Sequence, residues 1–465
     1  MRIKALFSLC RRQFANDHDG SLLAIALGLV LLEYEADVHQ LIDLSPMSSL
    51  HHHVQCLEMA DTCARTIEVK LEYGLHTLFP FSYEKVGQEP EVFAFICDVL
   101  DCLEQNGDES IPFAQIGDNM LQIASSREKR GRDSVTPDSL AALVVKLVSP
   151  TSKMTLYDPC CGYANCLKTA ALACGCRVAG QERNPIVRSV AMMNLVLHDI
   201  DAHDIWLGDV FSNPQNILDG DLVRYDAVLA NPGFWAPSWN QSIIDATPGA
   251  VGKMTPDMDP WHRFDDGVPS ASKFDYAFFH HAIRCVQDNG IIVSIFPMGT
   301  LFRSSVEAKS RMRWLEAGLL DAVIKLPVRL YDVTPEPVCI VIMRLGLPPR
   351  DVYFVDASSL GTPDVGSKTR HTMSPDAIEK IVSAYRSRAD VPAFGRNVSL
   401  AEIRQNEYNL NVSRYLCVGE PDNAFDQEAI EEEIFYIESR LDVIREEMDR
   451  LAEKFESTMK QGAET

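Results

Sequence analysis

The sequence predicts an α/β fold, with a Rossmann-like parallel sheet between a helical N-terminal domain and a C-terminal helix of coiled-coil type. Apparent strands and helices alternate between residues 154 and 343, which is the pattern of a doubly wound sheet. Several of these strands are continuous apolar runs, as strands buried on both faces should be. A heptad repeat occupies residues 430–455.

The first part of the chain, residues 1–111, alternates apolar helical stretches with polar joints and is predicted to be a helical accessory domain. Its apolar run at residues 22–32 covers about eleven residues, too few to cross a bilayer. Glu33 ends the run, and no small-residue cleavage site accompanies it. We therefore predict a buried helix rather than a signal peptide or a membrane span.

The sheet itself is predicted from apolar runs bounded by turn residues. The predicted strands are residues 154–157, 177–180, 204–207, 225–230, 290–296, 321–326 and 338–343, and the clear helices among the first five are 165–173, 185–198 and 274–287. A further helix is expected to open at Thr136-Pro137, since proline is common in a first helical turn after a Ser/Thr cap.

The C-terminal repeat places apolar residues at alternating steps of four and three. They are Ile430, Ile434, Ile437, Leu441, Ile444, Met448, Leu451 and Phe455. Charged residues fill most of the other positions. This pattern favours a coiled-coil contact with a partner helix over a helix lying on its own domain, for which a wider apolar stripe would be usual.

Groups that suit a nucleoside cofactor follow successive predicted strands. The first strand runs into a glycine-bearing turn between Asp158 and Ala164, and the second ends at Glu182, about 20 residues beyond that turn. Such a turn lets a cofactor approach backbone amides, and such an acidic residue binds ribose hydroxyls. No basic residue beside the turn would clamp a phosphate, which favours a nucleoside over a dinucleotide. Asp209, after the third strand, is placed to accept from an adenine amino group.

The fourth strand ends in Asn231-Pro232-Gly233-Phe234, which indicates the reaction class. The lone pair of an aromatic amine is conjugated with its ring, and two acceptors on the N–H bonds make it available for methylation. The Asn231 side-chain oxygen and the Pro232 carbonyl would be these acceptors, and Phe234 would stack on a base swung out of a duplex. An ordinary Asn-Pro-Gly turn is the alternative for an isolated tetrapeptide. The position after the fourth strand favours the site.

With these residues in place, the chain resembles the methyltransferase (modification) subunit of type I restriction-modification systems, an adenine-N6 DNA methyltransferase family. The resemblance covers residues 112–455 and includes a variant Asn-Pro-Gly-Phe motif. The segments that carry it are 180–185 (GQERNP), 193–195 (MNL), 272–278 (SKFDYAF), 297–303 (PMGTLFR), 326–327 (LP) with the strand at 338–343, and 409–415 (NLNVSRY).

The resemblance implies an S-adenosylmethionine-dependent methyltransferase sheet and gives roles to these residues. Methyl transfer to adenine N6 would use Asn231, Pro232 and Phe234 as catalytic residues. Glu182 would hold the ribose, Asp209 the adenine of the cofactor, and the turn around Gly162 its methionine moiety. The implied cofactor-binding residues are Thr136, Asp158, Cys161, Gly162, Ala164, Glu182, Asp209 and Asn231.

The net charge of −23 argues against a protein that grips DNA alone, because phosphate contacts normally need a basic excess. The resemblance accounts for this charge, since in the family a separate specificity subunit reads the DNA and packs with the C-terminal helix, here residues 430–455. The expected partners are therefore a DNA specificity subunit, DNA through the complex, and a restriction nuclease subunit, with no membrane.

The domain limits that follow are 1–111 for the helical domain, 112–400 for the methyltransferase domain, and 401–465 for the C-terminal segment with its helical tail. Thirteen cysteines without a secretory signal predict reduced thiols and a cytoplasmic protein. Five of them lie within residues 160–176, but without the paired C-x-x-C spacing of zinc sites. We predict core and loop thiols there, and no metal.

Three departures from the family pattern lie in the predicted pocket. Gly233 replaces the second proline of Asn-Pro-Pro-Phe/Tyr, which removes a rigid φ. Residues 161–165 (CGYAN) replace Cys-Gly-Ser-Gly-Gly, so that Ala164 would be strained at a positive φ and Tyr163 would crowd the methionine side. Ser134-Val135 replaces an aromatic pair before Thr136.

These departures leave two alternatives open. One is a catalytically degenerate subunit that keeps an assembly or cofactor-sensing role. The other is a methyltransferase for a different planar amine, such as glutamine in a protein or a base in RNA.

Overall fold

A computed structural model of the chain describes residues 21–37, 54–73, 78–86, 112–125, 135–233, 239–247, 254–265, 267–271, 274–304, 306–331, 337–365 and 370–416, together with the single positions 10, 92, 95, 96 and 99. The chain divides into two compact units, Met1–Leu416 and Cys417–Thr465. Phe234 and the predicted heptad helix at 430–455 lie outside the described residues. Within the described residues, no helix combines the length and apolar character that a membrane crossing requires.

The helices that the structure describes all belong to the first unit. In chain order they are α1 (Ser21–Asp37), α2 (Val54–Lys70), α3 (Tyr83–Val86), α4 (Phe113–Ser125), α5 (Asp138–Val148), α6 (Asn165–Cys174), α7 (Pro185–Val196), α8 (Gln241–Ala246), α9 (Phe274–Cys285), α10 (Val306–Glu316), α11 (Pro375–Ser387) and α12 (Leu400–Gln405). The helices predicted at 165–173, 185–198 and 274–287 are α6, α7 and α9.

The described strands form one large sheet and two small hairpins. In chain order they are β1 (Thr155–Asp158), β2 (Arg177–Glu182), β3 (Ile205–Leu207), β4 (Ile217–Leu218), β5 (Asp221–Leu222), β6 (Tyr225–Ala230), β7 (Val286–Pro297), β8 (Leu320–Lys325), β9 (Val338–Arg344), β10 (Val352–Asp356), β11 (Gly361–Pro363), β12 (His371–Met373) and β13 (Gly395–Val398). The large sheet has the order β13-β10-β8-β9-β7-β6-β1-β2-β3. Every strand predicted from the sequence is present in it.

The sheet is mostly parallel, as predicted, but not throughout. β9 runs antiparallel to its neighbours β7 and β8, and β13 runs antiparallel to β10. β8 and β9 are consecutive in the chain and neighbours in the sheet, an arrangement that antiparallel strands allow without the crossover that parallel strands need. β9 is nevertheless buried on both faces. Its apolar sequence therefore does not distinguish an antiparallel strand from a parallel one.

Helices cover both faces of the sheet, which explains the continuous apolar strands. On β7, Ile291, Val293 and Ile295 belong to one hydrophobic cluster, while Ile292 and Phe296 belong to the other. Residues of α1, α5, α6, α7 and α11 complete the first cluster, and residues of α9 and α10 complete the second. This doubly wound arrangement leaves the carboxyl edge of the strands for a ligand.

α1 is the buried helix predicted from the apolar run at 22–32. Its residues from Leu23 to Leu32 are buried, and the helix packs against α4 and α7. A Cβ on Gly28 would clash with the Tyr83 hydroxyl and lie 3.3 Å from the Phe79 ring. The missing side chain therefore lets these two aromatic residues approach the helix.

Candidate active site

The predicted site residues lie along one edge of the sheet. β6, β1, β2 and β3 are adjacent and parallel, so the residues that follow them lie at the same, carboxyl, edge. Asp158 closes β1, Glu182 closes β2, Asp209 follows β3, and Asn231 directly follows β6. The order β6-β1-β2-β3 places the amide at one end of this row and the Asp209 carboxylate at the other.

The turn after β1 has two residues in the left-handed region, Gly162 with φ +53° and Ala164 with φ +62°. The Cys161 amide donates to the Gln181 carbonyl at 3.1 Å, which fastens the turn to β2. Ala164 immediately precedes α6. Its positive φ is the condition under which alanine was predicted to be strained, and such a conformation costs an L-residue about 1–2 kcal/mol.

Two carboxyl groups stand at the ends of neighbouring strands. Burial raises the pKa of Asp158 to about 7, and the nearby Glu182 raises it as well, against hydrogen bonds from Cys160. Burial also raises the pKa of Glu182, against hydrogen bonds that include one from the Asn184 amide at 2.8 Å. Burial has already removed most of the water around these carboxyl groups. They can therefore accept hydrogen bonds from neutral hydroxyl groups with little further loss of hydration.

The Asp209 carboxylate caps its own loop. Its Oδ1 atom accepts from the amides of Phe211 at 2.9 Å and Ser212 at 3.0 Å, and from the Ser242 hydroxyl at 3.5 Å. Its Oδ2 atom makes none of the hydrogen bonds found among the described residues. That oxygen can therefore accept from a ligand without releasing the loop.

A buried glutamine ties the Asp209 loop to β2. The Gln181 side-chain amide donates to the carbonyls of Gly208 at 3.0 Å and Asn213 at 2.9 Å, and its oxygen accepts from the Gln215 amide at 3.0 Å. Gln181 is fully buried. All three bonds span the segment that contains Asp209, so this one side chain fixes where the segment leaves and rejoins the sheet.

A buried arginine holds the same loop from the other side. Arg263 donates to the carbonyls of Val210 at 2.8 Å and Phe211 at 2.6 Å. Its guanidinium forms an ion pair with Asp259 at 2.7 Å, and neither side chain is exposed. Arg263 belongs to the long connection between β6 and β7, so it joins that connection to the predicted cofactor side of the site.

The Asn231 side-chain amide has a fixed orientation. Its Nδ2 atom donates to the Thr136 hydroxyl at 2.8 Å, and its Oδ1 atom accepts from the Tyr331 hydroxyl at 3.1 Å. Asn165, the first residue of α6, donates to the Thr136 carbonyl at 2.6 Å and to the Asp138 carboxylate at 2.9 Å. Thr136 thus links the turn to Asn231.

The helix-capping role expected for Thr136 is wrong. α5 begins at Asp138, Pro137 is the residue before it, and no side chain caps the helix. The Thr136 hydroxyl is instead occupied by Asn231. A Thr-Pro pair before a helix is typical of capping, but here the hydroxyl lies beside the end of β6, which only the fold reveals.

The residues after Asn231 depart from the family pattern in conformation as well as in sequence. Gly233 has φ +74°, whereas a proline is held near −65°. The chain therefore leaves Pro232 along a path that the usual Asn-Pro-Pro sequence cannot take. Phe234, the predicted stacking residue, lies outside the described residues.

Tyr331, Asn165, Gln181 and Arg263 are further candidate site residues that the sequence did not indicate. Asn165 directly follows the turn that was recognised, so its polar side chain was an available signal. Tyr331 follows β8, and Arg263 lies in the long connection before β7; neither is close in sequence to a predicted site residue. Their contacts depend on the folded arrangement.

The clustered cysteines are core and loop thiols, as predicted. Cys161, Cys166 and Cys176 are buried, while Cys160 and Cys174 are half-buried. Burial raises the pKa of the Cys166 thiol to about 12. Among the residues that the structure describes, no three histidine, cysteine, aspartate or glutamate side chains group as metal ligands.

A sequence profile identifies the family. The profile described as N-6 DNA Methylase matches residues 115–423, which is more than half of the chain. The chain belongs to the N-6 DNA methylase family. The matched range includes every predicted site residue, together with Tyr331 and Arg263.

Curated relatives with this domain are methylase subunits of type I restriction enzymes. The MjaVIII methylase subunit of Methanocaldococcus jannaschii is 30% identical over 327 residues, which cover 67% of this chain and 54% of that protein. The HindI methylase subunit of Haemophilus influenzae is 26% identical over 326 residues, covering 65% and 68% respectively. The chain spans about half the length of the MjaVIII and MjaVII methylase subunits of M. jannaschii.

Solved structures share the fold. A type I restriction-modification methyltransferase subunit from Streptococcus thermophilus superposes with a TM-score of 0.65 at 23% identity, over 89% of this chain and all of that one. A structure from a type I restriction-modification system gives a TM-score of 0.63 at 17% identity, over 97% and 98%. The resemblance to type I modification subunits and the α/β methyltransferase fold predicted from the sequence are thus confirmed.

Proposed function

We propose that the chain is a DNA adenine-N6 methyltransferase subunit that acts with a separate DNA specificity subunit in a type I restriction-modification or related defence system. One observation carries the proposal: Thr136 and Tyr331 fix the amide of Asn231 at the end of β6. An oriented amide oxygen followed by the Pro232 carbonyl supplies the two acceptors that an aromatic amine needs. Holding the amine in line for transfer is catalysis mainly by positioning.

The cofactor would be S-adenosylmethionine, which supplies an electrophilic methyl group when bound. The chain's own groups fit a nucleoside: the Glu182 carboxyl for ribose hydroxyls, the unengaged Oδ2 atom of Asp209 for an adenine amino group, and a turn with positive φ at Gly162 for close backbone approach. Asp158, Cys161, Ala164 and Thr136 complete the proposed binding residues.

The substrate side would use Asn231 and Pro232 to hold a flipped adenine, with Phe234 stacked on its ring. The net charge of −23 supports a division of labour in which another subunit grips the DNA. We assign the heptad segment 430–455 to the contact with that specificity subunit, and a restriction nuclease subunit as a further partner, in the cytoplasm.

A second candidate function has an observation in its favour. Gly233 with φ +74° and Ala164 with φ +62° are departures in the predicted pocket. A catalytically degenerate subunit would retain the fold and the cofactor-binding groups but not transfer methyl groups. Its role would be assembly or cofactor sensing.

The deciding experiment measures tritiated methyl transfer to DNA after co-expression with the neighbouring specificity subunit. We expect Asn231→Ala to lower transfer by about 100-fold or more, because one positioned hydrogen-bonding group is lost at the reacting centre. Asn119→Ala is the matched control, since that amide donates to the Gln115 carbonyl of its own helix at 2.8 Å. Equal counts from the Asn231 variant and the unmodified chain would refute the catalytic assignment.

Two further measurements separate the candidates. Calorimetric binding of S-adenosylmethionine without methyl transfer by the unmodified chain would favour the degenerate, cofactor-sensing subunit, and no binding at millimolar cofactor would favour a pure assembly role. Digestion of the methylated DNA should yield N6-methyl-2′-deoxyadenosine as the modified nucleoside. Label recovered in protein or RNA instead would point to another planar amine.

A further inference from the structure

A cleft lined by arginines lies between the segment that follows β7 and the segment that follows α12. Arg303 belongs to the segment that follows β7, Arg311 to α10, and Arg414 to the segment that follows α12. Glu407 is the carboxylate among the residues that line it. Such an excess of cationic side chains is notable in a chain whose net charge is −23.

Arg311 is a buried cation whose hydrogen bonds go to neutral groups. It donates to the Tyr408 carbonyl at 2.7 Å, the Tyr276 hydroxyl at 2.9 Å and the Arg303 carbonyl at 3.0 Å. The side chain is 4% exposed, and no carboxylate among the described residues pairs with it. A guanidinium has five N–H donors. The bonds to neutral groups use three of these donors, and Arg311 is among the residues that line the cleft.

The other two arginines differ in their pairing. Arg303 forms an ion pair with the buried Asp275. Arg414 is exposed and makes none of the side-chain hydrogen bonds or ion pairs found in the described part of the chain. The cleft therefore combines one fixed, buried positive charge with one exposed charge that is available to a ligand. Arginine is the side chain best suited to bidentate contacts with phosphate.

The cleft lies at the edge of the sheet that carries Asn231. β7 is parallel to β6 and pairs with it, with Ala230 opposite Ser294, so both strands end at the same edge. The Leu410 amide donates to the Leu301 carbonyl at 2.9 Å, which holds the two walls of the cleft together. A nucleic-acid strand that delivers a base to Asn231 would have phosphates along this edge.

We propose that the cleft formed by Arg303, Arg311 and Arg414 binds a phosphodiester group of the DNA strand that carries the target base. This inference rests on the proposed function for its substrate. Phosphate contacts fix the register of a protein on DNA without reading sequence. The cleft would thus set the position of the strand while the specificity subunit selects the sequence.

The test measures binding of the full-length chain to a fluorescein-labelled single-stranded oligonucleotide of about 12 nucleotides, by anisotropy across a salt series that starts near ~20 mM. We expect Arg414→Gln to weaken binding about 5-fold and to lower the slope of log K against log salt by about 0.7, the value for one phosphate contact on a single strand. Arg414→Lys should keep the slope. Arg224→Gln is the matched control, because Arg224 is exposed before β6, at the opposite edge.

The readout does not depend on methyl transfer, so a chain that transfers no methyl group still tests the cleft. Equal affinities and slopes for Arg414→Gln and Arg224→Gln would overturn the proposal, as would no binding by the unmodified chain at the lowest salt. A polyglutamate peptide of the same length serves as competitor. Displacement of the oligonucleotide at equal concentration would overturn it too, and would assign the cleft to an acidic protein surface. Retained melting temperature shows that each variant is folded.

Discussion

The ends of β2 and β3 differ from the end of β6 in how firmly their loops are held. The buried side chains of Gln181 and Arg263 fasten the Asp209 loop through four backbone carbonyls. At β6, Asn231 is held by two hydroxyl groups, and the chain then turns at Gly233, where the family usually has proline. The proposed cofactor contact at Asp209 and the proposed amine contact at Asn231 therefore depend on different side chains, and a substitution at one can leave the other in place.

The largest effect is expected from Arg263→Met, which removes the hydrogen bonds from this side chain to the carbonyls of Val210 and Phe211. The variant leaves Asp259 buried without its cation, so the free energy of unfolding should fall by about 3–5 kcal/mol. Urea denaturation measures this change. The double variant Asp259→Leu/Arg263→Met should regain most of the loss, because both buried charges are then absent. A loss below about 1 kcal/mol in the single variant would mean that the loop is not rigidly held.

The next effect is a pH dependence at Asp158. Its folded pKa, about 7, lies above the ordinary aspartate value, so the native state binds the proton more tightly and stability falls as pH rises through this range. Asp158→Asn removes the ionisation and keeps an acceptor for the Cys160 amide. The stability of the variant relative to the unmodified chain should increase from pH 5 to pH 8, by about 2–3 kcal/mol at most. Thermal melting at the two pH values checks this, and an unchanged difference would contradict it.

A smaller effect is expected at the β6 end from Gly233→Ala. Alanine at φ +74° should lower the free energy of unfolding by about 1–2 kcal/mol if the loop keeps its conformation. Gly299→Ala is the matched control at the same edge, since a Cβ there would approach no atom closer than 3.8 Å. If both variants have the same melting temperature, the loop is free to take a path compatible with proline, and the contrast between the end of β6 and the ends of β2 and β3 is weaker than the structure indicates.

The smallest effect is expected from Ala164→Gly, which relieves the strained position in the turn after β1. The gain from the relaxed φ is partly offset by the greater freedom of glycine in the unfolded chain, so we expect a net stabilisation of at most about 1 kcal/mol. Differential scanning calorimetry measures it. A destabilised variant would show that the turn tolerates alanine without strain.

The apolar runs predicted the strands because helices bury both faces of the sheet. The site residues were predicted because each directly follows one of these strands. The direction of β9 was not predictable, since an antiparallel strand buried on both faces has the same apolar pattern as a parallel one. Thr136 was misassigned because a Thr-Pro pair has the same local pattern whether it caps a helix or contacts another strand end. Tyr331 and Arg263 reach the site from distant parts of the chain, which a reading of local motifs does not bring together.

The path from Asn165 through Thr136 to Asn231 has a thermodynamic consequence. The turn that would lie along the cofactor and the amide that would hold the substrate share one residue, so a ligand that shifts Thr136 alters both sites. Coupling between two bound ligands is reciprocal: each ligand changes the dissociation constant of the other by the same factor. Occupancy by one ligand should thus change the dissociation constant of the other through a single threonine.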